Sequence, residues 1–216
     1  MHEKLGIGRS LVVIGILLGC LTAMANAQDE HRLTLNAGAG FTPLVGEIGN
    51  NLDNGWGITF GGGYVFTSHF EGNIQLSYNG FGVTSGLLGS TGAPGGNSHL
   101  WSVTVNPKLR LGRERTVDPY VVGGIGYYRR TIQFTNPTLV PVTVFDPFFG
   151  FITGVAQADE VIGSLTQDGI GGSLGAGFDI KLSGNGLRFF TEARYHYADT
   201  GRIPTRMVPV TFGLRW

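Results

Sequence analysis

The residues able to do chemistry in this chain are few and widely spaced. Glu71, Lys108, Arg110, Asp179, Lys181, Arg188, Glu192 and Arg194 carry charge within stretches otherwise built from Gly, Ser, Thr, Asn and apolar residues. In extended chain, successive side chains point to opposite faces, and these charges all fall opposite the apolar positions. Gathered on one side of a sheet, they form a network of ion pairs and hydrogen bonds. Such a network either stitches a protein shut or lines a narrow, charged passage. A second constellation would be nucleophilic: if Ser183-Gly-Asn-Gly186 closes a hairpin, Ser173 lies across from His196 on the same side. No acid stands beside His196, since Glu192 is four residues along, about 13 Å in a strand. Neighbouring Ser98 and His99 face opposite ways and form no dyad. Polar side chains bonding one another account for the Ser173–His196 pair more simply than catalysis, and no enzyme activity is expected.

Other chemistries lack their residues. No metal-ligand spacing, phosphate loop or nucleotide fingerprint occurs, and no cofactor is expected. Gly123-Gly124-Ile125-Gly126 is followed by no helical pattern, so these are strand glycines. With 15 basic and 15 acidic residues the formal net charge is zero, which offers nucleic acid no electrostatic footprint. Cys20 is the one cysteine, so no internal disulfide can form.

The elements that position the charged residues alternate with a period of two. Strands are predicted over Arg32–Phe41, Gly55–Thr67, Phe70–Thr84, His99–Gly112, Pro119–Gln133, Gly169–Leu182, Leu187–Asp199 and Met207–Trp216. One face carries residues such as Trp56, Ile58, Phe60, Ile74, Leu76, Trp101, Val103, Leu174, Phe178 and Phe189; the other is Gly, Ser, Thr, Asn and the charges. Strand five has doubled apolar residues, which leaves its phase ambiguous. Connections are long or glycine-rich after strands one, three, five and seven, and short after two, four and six. The stretch Ser85–Ser98 reads as a flexible loop.

The last strand is the clearest. Val208, Val210, Phe212, Leu214 and Trp216 alternate with Pro209, Thr211, Gly213 and Arg215. An apolar face that ends on an exposed Trp suits lipid on one side and an aromatic at the membrane–water interface. This ending resembles the C-terminal strand of bacterial outer-membrane β-barrels, and the whole pattern resembles the small OmpA/OmpX/OmpW-like barrels. The resemblance implies an eight-stranded antiparallel up-and-down transmembrane β-barrel in the outer membrane. Lipid would surround it, and the barrel-assembly machinery would read the C-terminal strand. Its short turns would face the periplasm and its long loops the outside. The competing architecture is a secreted β-sandwich, which also alternates. A sandwich does not require its polar face to be short and glycine-rich, whereas a narrow lumen does, and 37 of 216 residues are Gly.

Two segments lie outside the strand pattern. Lys4, Arg9, the apolar run Leu11–Leu21 and Ala25-Asn26-Ala27 read as a secretory signal peptide cleaved after Ala27, leaving 28–216 as one barrel domain. Lipidation at Cys20 is the alternative. The insert Phe134–Asp168 contains Val140, Val142, Val144, Phe145, Phe148, Phe149, Phe151 and Ile152 and is too apolar for a solvated loop. It reads as an outer loop able to contact a surface ligand. Its structure is open between a hairpin turning at Asp146-Pro147, a lid over the mouth, a short helix over Ala158–Leu165, and two further barrel strands. Expected roles are structural or interactive at the cell surface, with a small-solute or hydrophobic-ligand channel and a lipid-A-modifying enzyme as alternatives.

Overall fold

In lipid no backbone polar group can be left unpaired, so a lone sheet of alternating strands must return on itself. The computed structural model describes residues 32–91, 94–112, 116–182 and 186–216. The predicted signal segment with Cys20, and most of the Ser183–Gly186 turn, lie outside them. The strands are β1 (Leu33–Thr42), β2 (Gly55–Val65), β3 (Phe70–Gly82), β4 (Gly95–Arg110), β5 (Val117–Asp146), β6 (Gly150–Lys181), β7 (Arg188–Ala198), β8 (Thr205–Met207) and β9 (Val210–Arg215). From β1 to β7 each strand pairs antiparallel with the next, β7 pairs with both β8 and β9, and β9 pairs with β1. With β8 and β9 counted as one interrupted stave, eight staves stand in a ring. At the joining seam Asn36 faces Arg215 and Phe41 faces Val210. Leu35 N–H donates to the Trp216 carbonyl (2.7 Å), and Trp216 N–H donates back to Leu35 (3.0 Å).

The two faces of the ring separate as the period of two requires. Phe60, Ile74, Val105, Ile125, Leu174, Phe178, Phe212 and Leu214 are exposed on the outside. Tyr120, Val122, Tyr128 and Phe190 are buried inside, which settles the phase of β5. Aromatics on the outer surface gather at two heights. Tyr64, Phe66 and Phe70 cluster at the short-turn end with ring centroids 5.2 and 5.6 Å apart. Trp56, Tyr78 and Trp101 cluster toward the other end, at 5.6 and 4.7 Å. Trp56 and Tyr64 lie eight residues apart on one strand. At about 3.3 Å per residue and a tilt of about 40° that is roughly 20 Å of height, comparable with the apolar band of a membrane barrel.

Three segments depart from the sequence expectation, and a fourth takes one of the forms left open for it. In the insert 134–168 the hairpin turning at Asp146-Pro147 forms: β5 and β6 stay paired residue by residue from Val117↔Ile180 to Asp146↔Gly150, with one irregularity at Phe134/Thr135. Neither the lid nor the helix over Ala158–Leu165 forms, and no additional stave joins the ring. Past the last β4–β5 pair, Gly95↔Thr135, β5 runs eleven residues further, about 36 Å of two-stranded ribbon. The stretch read as a flexible loop after β3 instead forms a short helix, α1 (Ser85–Thr91). Thr84 carbonyl accepts from Leu87 and Leu88 N–H (both 3.1 Å), and those leucines pack on the apolar cluster at the ring's mouth. The polar loop after β1 contains a 3-10 turn, Gly46–Asn50, that buries Ile48. The terminal strand breaks between β8 and β9 at Val208-Pro209, because proline has no N–H for the ladder. There Val208 N–H turns to the Pro43 carbonyl (2.9 Å), and the Pro209 carbonyl accepts from Arg194 N–H (3.1 Å).

The seam depends on glycine for close approach. A Cβ at Gly213 would lie 2.6 Å from Gly38 Cα and from Phe190 Cε1. Gly213→Val therefore forces β9 off β1 or Phe190 off its rotamer, at about 1–3 kcal/mol. Urea titration of the refolded protein in detergent, followed by the heat-modifiable band shift on gels, should show a lowered midpoint; an unchanged midpoint would contradict this packing.

Candidate functional site

The inward face is layered. At the short-turn end lies a layer of charge. Lys108 Nζ sits 3.0 Å from Asp179 Oδ2 and 3.6 Å from Glu71 Oε2. Arg110 donates to Glu71 (2.7 Å), and Thr34 Oγ1 donates to the same carboxylate (3.0 Å). Arg215 Nη1 reaches both Asp179 oxygens at 2.5 and 2.6 Å. Arg194 donates to Glu192 (2.5 Å) and to Asn106 Oδ1 (2.9 Å). Tyr120 hydroxyl donates to the other Glu192 oxygen (3.0 Å), while its ring lies 4.0 Å beneath Lys108 Nζ. Arg188 pairs with Asp118 at 2.5 Å. These contacts tie β1, β3, β4, β5, β6, β7 and β9 across the interior.

Of the eight charged residues singled out in the sequence, seven join this layer. Lys181 does not. It has the inward parity of Asp179, but it ends β6 and is exposed at the rim, and among the described residues it makes no ion pair. Three participants were missed. Arg215 was legible as the polar neighbour of Trp216 on the last strand's inward face. Asp118 lies one residue before the predicted strand five, in the short connection after strand four, and Tyr120 was hidden by the doubled apolar residues of strand five. Glu71 and Asp179 are wholly buried and Lys108 is 2% exposed, so each depends on its partners for the solvation it lost.

Above the charges the interior is Thr59, Ser77, Asn79, Ser102, Thr104 and Asn106, all buried. Ser173 and His196 are register partners, as the hairpin arithmetic predicted. They are not joined as a dyad. His196 Nδ1 bonds the Tyr128 hydroxyl (2.8 Å), and the Ser173 hydroxyl makes no hydrogen bond to the ring. Glu192 is committed to Tyr120 and Arg194. Among the described residues no group of three or more His, Cys, Asp or Glu is placed to hold a metal ion.

The long-loop end is closed by apolar side chains. Inward-facing Phe81, Val83, Leu100, Tyr128, Ala198 and Met207 meet Ile48 and Leu52, which the β1–β2 loop folds into the mouth. An isolated bridge between Leu52 and Val83 carries the β2–β3 pairing on toward this cap. Beside this cap, Arg130 is 5% exposed. Beyond it the β5–β6 ribbon ends in aromatics: Phe145 and Phe151 pack edge to face at 5.3 Å, and Phe148 and Phe149 are 91% and 80% exposed. The C-terminal residues Phe212, Leu214 and Trp216 are exposed on the outer wall, with Val208 and Val210 partly covered.

A ring of antiparallel staves, greasy outside and polar within, defines a membrane-spanning β-barrel. Residues 13–215 match the family described as the outer membrane protein beta-barrel domain, and the chain belongs to that family, which places it in the outer membrane. No curated protein sequence matches it. Several solved structures share the fold, two of them with the following agreement. Neisserial surface protein A aligns with a TM-score of 0.52 at 14% identity, covering 85% of this chain and 95% of that one. A major outer membrane protein of Thermus thermophilus aligns with a TM-score of 0.56 at 10% identity, covering 86% and 98%.

Removing one partner from the buried layer should cost far more than removing one from the surface. Asp179→Ala strands Lys108 and Arg215 and should lower unfolding stability by about 3–5 kcal/mol. Arg129→Ala, which breaks a 3.5 Å pair to Asp168 with both side chains about half exposed, should change it by less than about 1 kcal/mol. Equal losses in paired denaturant titrations would refute the layered interior.

Proposed function

We propose that this barrel has a closed lumen and acts at the cell surface through its long-loop end, foremost through the β5–β6 ribbon. The ribbon carries the reading. A barrel that served only as a wall has no use for about 36 Å of paired strand beyond its neighbours, tipped with exposed phenylalanines. Exposed apolar surface of that extent marks a contact site. A closed lumen is supported by the filling of the interior. Two cavities among its polar residues have volumes of about 10 Å³ each, room for about one water. The outer membrane's lipid then surrounds the greasy wall, and the β9 strand ending in Trp216 is the element offered to the assembly machinery.

The channel reading is the nearest competitor, and the lipid-modifying enzyme a more distant one. Tyr128 on His196 and the commitment of Glu192 elsewhere speak against a hydrolytic triad at Ser173. Mass spectrometry of lipid A from cells with and without the protein tests the enzyme directly: an altered acyl pattern would overturn the surface reading. In planar bilayers the purified protein should give no resolved openings, and sustained single-channel steps would establish the pore instead.

Replacing residues 136–160 with a short turn should leave a heat-modifiable barrel, since every ring pairing lies outside that span. Protease added to intact cells should cut the full-length protein within 136–160 and spare the truncated one. Cleavage only after lysis would put the ribbon on the periplasmic side.

A further inference from the structure

Next to the apolar cap lies a cavity of about 260 Å³. Its apolar wall is Ile48 and Leu52 from the β1–β2 loop, Leu87 from α1, Ile132 and Leu165 from β5 and β6, and Ile203 from the β7–β8 loop. Arg130 lines the same cavity, with Gln167 beside it. Arg130 differs from the interior arginines. Arg110, Arg188, Arg194 and Arg215 each contact a carboxylate. Arg130 has only neutral acceptors among the described residues: Thr205 Oγ1 (3.0 Å), the Ile203 carbonyl (3.1 Å) and Gln167 Oε1. Three of its five N–H donors are used, and Nε has no partner. A guanidinium 95% buried, without a counter-charge, is a costly arrangement unless an anion completes it.

The geometry points to this cavity as a binding site for a small amphipathic carboxylate, its head group on Arg130 and its tail against the isoleucines and leucines. A guanidinium's planar fork suits a carboxylate. A space of about 260 Å³ is ample for a carboxylate head and a short alkyl tail. A neutral hydrophobe fills the space but leaves the charge unpaired, and a cation meets repulsion from Arg130 and from Arg202 at the cavity's rim. The site goes beyond the surface role assigned to the ribbon and does not depend on it. Leu165 pairs with Ile132 at the ribbon's base, and no residue of the apolar wall named here comes from the span 136–160.

Calorimetric titration of octanoate into the full barrel in zwitterionic nanodiscs tests it, with octanol and octyltrimethylammonium as tail-matched controls for partition into lipid. Octanoate should bind saturably at one site, and both controls should show partition alone. Arg130→Gln should weaken octanoate at least about tenfold, and Arg130→Lys, which keeps the charge but not the planar fork, should fall between that variant and the unaltered protein. Ile203→Trp, which leaves the guanidinium and fills the cavity, should abolish binding; it serves as well if Arg130→Gln does not fold on the heat-shift gel. Octanol binding as tightly as octanoate, unchanged affinity in Arg130→Gln or Ile203→Trp, or no saturable octanoate binding would each overturn the assignment.

Discussion

Every structural feature of this protein follows from pairing the last stave with the first. Within a bilayer each unpaired N–H or C=O costs several kcal/mol, and an open sheet would leave two edges of them. The β9–β1 seam removes both edges, and Trp216 and Leu35 exchange a pair of hydrogen bonds at its end. Closing at eight staves fixes a narrow bore. Two consequences compete for that bore. Where backbones approach most closely the residue must be Gly, as at Gly213 against Gly38. Where space remains it must be filled, and a filler that faces inward is shielded from lipid whatever its polarity.

The charges exploit that shielding, and their distribution carries information the backbone ladder lacks. A ladder hydrogen bond is the same at every register, so pairing alone does not distinguish a correct alignment from one slipped by a residue. A slip reverses the facing of every side chain on the strand. On β4 it would turn Lys108 and Arg110 outward beside the girdle of Tyr64, Phe66 and Phe70, at up to about 1 kcal/mol each at that height, and would strand Glu71 and Asp179 inside. Glu71 joins β3 to Lys108 and Arg110 of β4, and Asp179 joins β6 to β4 and β9. The buried pairs add little net stability against an apolar filling of equal shape. What they contribute is a unique alignment of staves that are not all neighbours in the sheet.

Staves and facing were legible in the sequence because both depend on parity alone. Trp56, Phe60, Ile74 and Leu174 announce the lipid side without any knowledge of neighbours, and Ser173 lay opposite His196 by counting through a hairpin. Partnerships across the bore were not legible. Arg215–Asp179 and Tyr120–Glu192 join non-adjacent staves, so they depend on the ring's stagger and radius, which the sequence does not state. Lys181 shows the converse limit: parity assigned its face but not its height, and one step past Ile180 the wall gives way to the rim. The mouth was misread because Ile48, Leu52, Leu87 and Leu88 are scattered among Gly, Asn and Ser. Local composition made those segments look like solvated loops, while their few apolar side chains were matched to Phe81, Leu100, Tyr128 and Met207 on distant strands.

The ribbon shows where period-two reasoning stops applying. Inside the ring, alternation means lipid on one side and lumen on the other; past Thr135 neither exists. Leu139, Phe145, Phe151, Val155 and Val161 on one face and Ile152 on the other are all exposed there. An isolated two-stranded hairpin is marginal in water. This one begins already in register, because β5 and β6 leave the barrel wall paired, so the rigid ring supplies the nucleus that a free hairpin lacks. Loop-closure entropy is met at the base, and each further pair adds to a preformed end. The ribbon is therefore a continuation of the barrel's own β5–β6 pairing rather than a second folding unit. A barrel can carry a long, aromatic, weakly held strand pair into the medium only because its own closure is so strongly enforced.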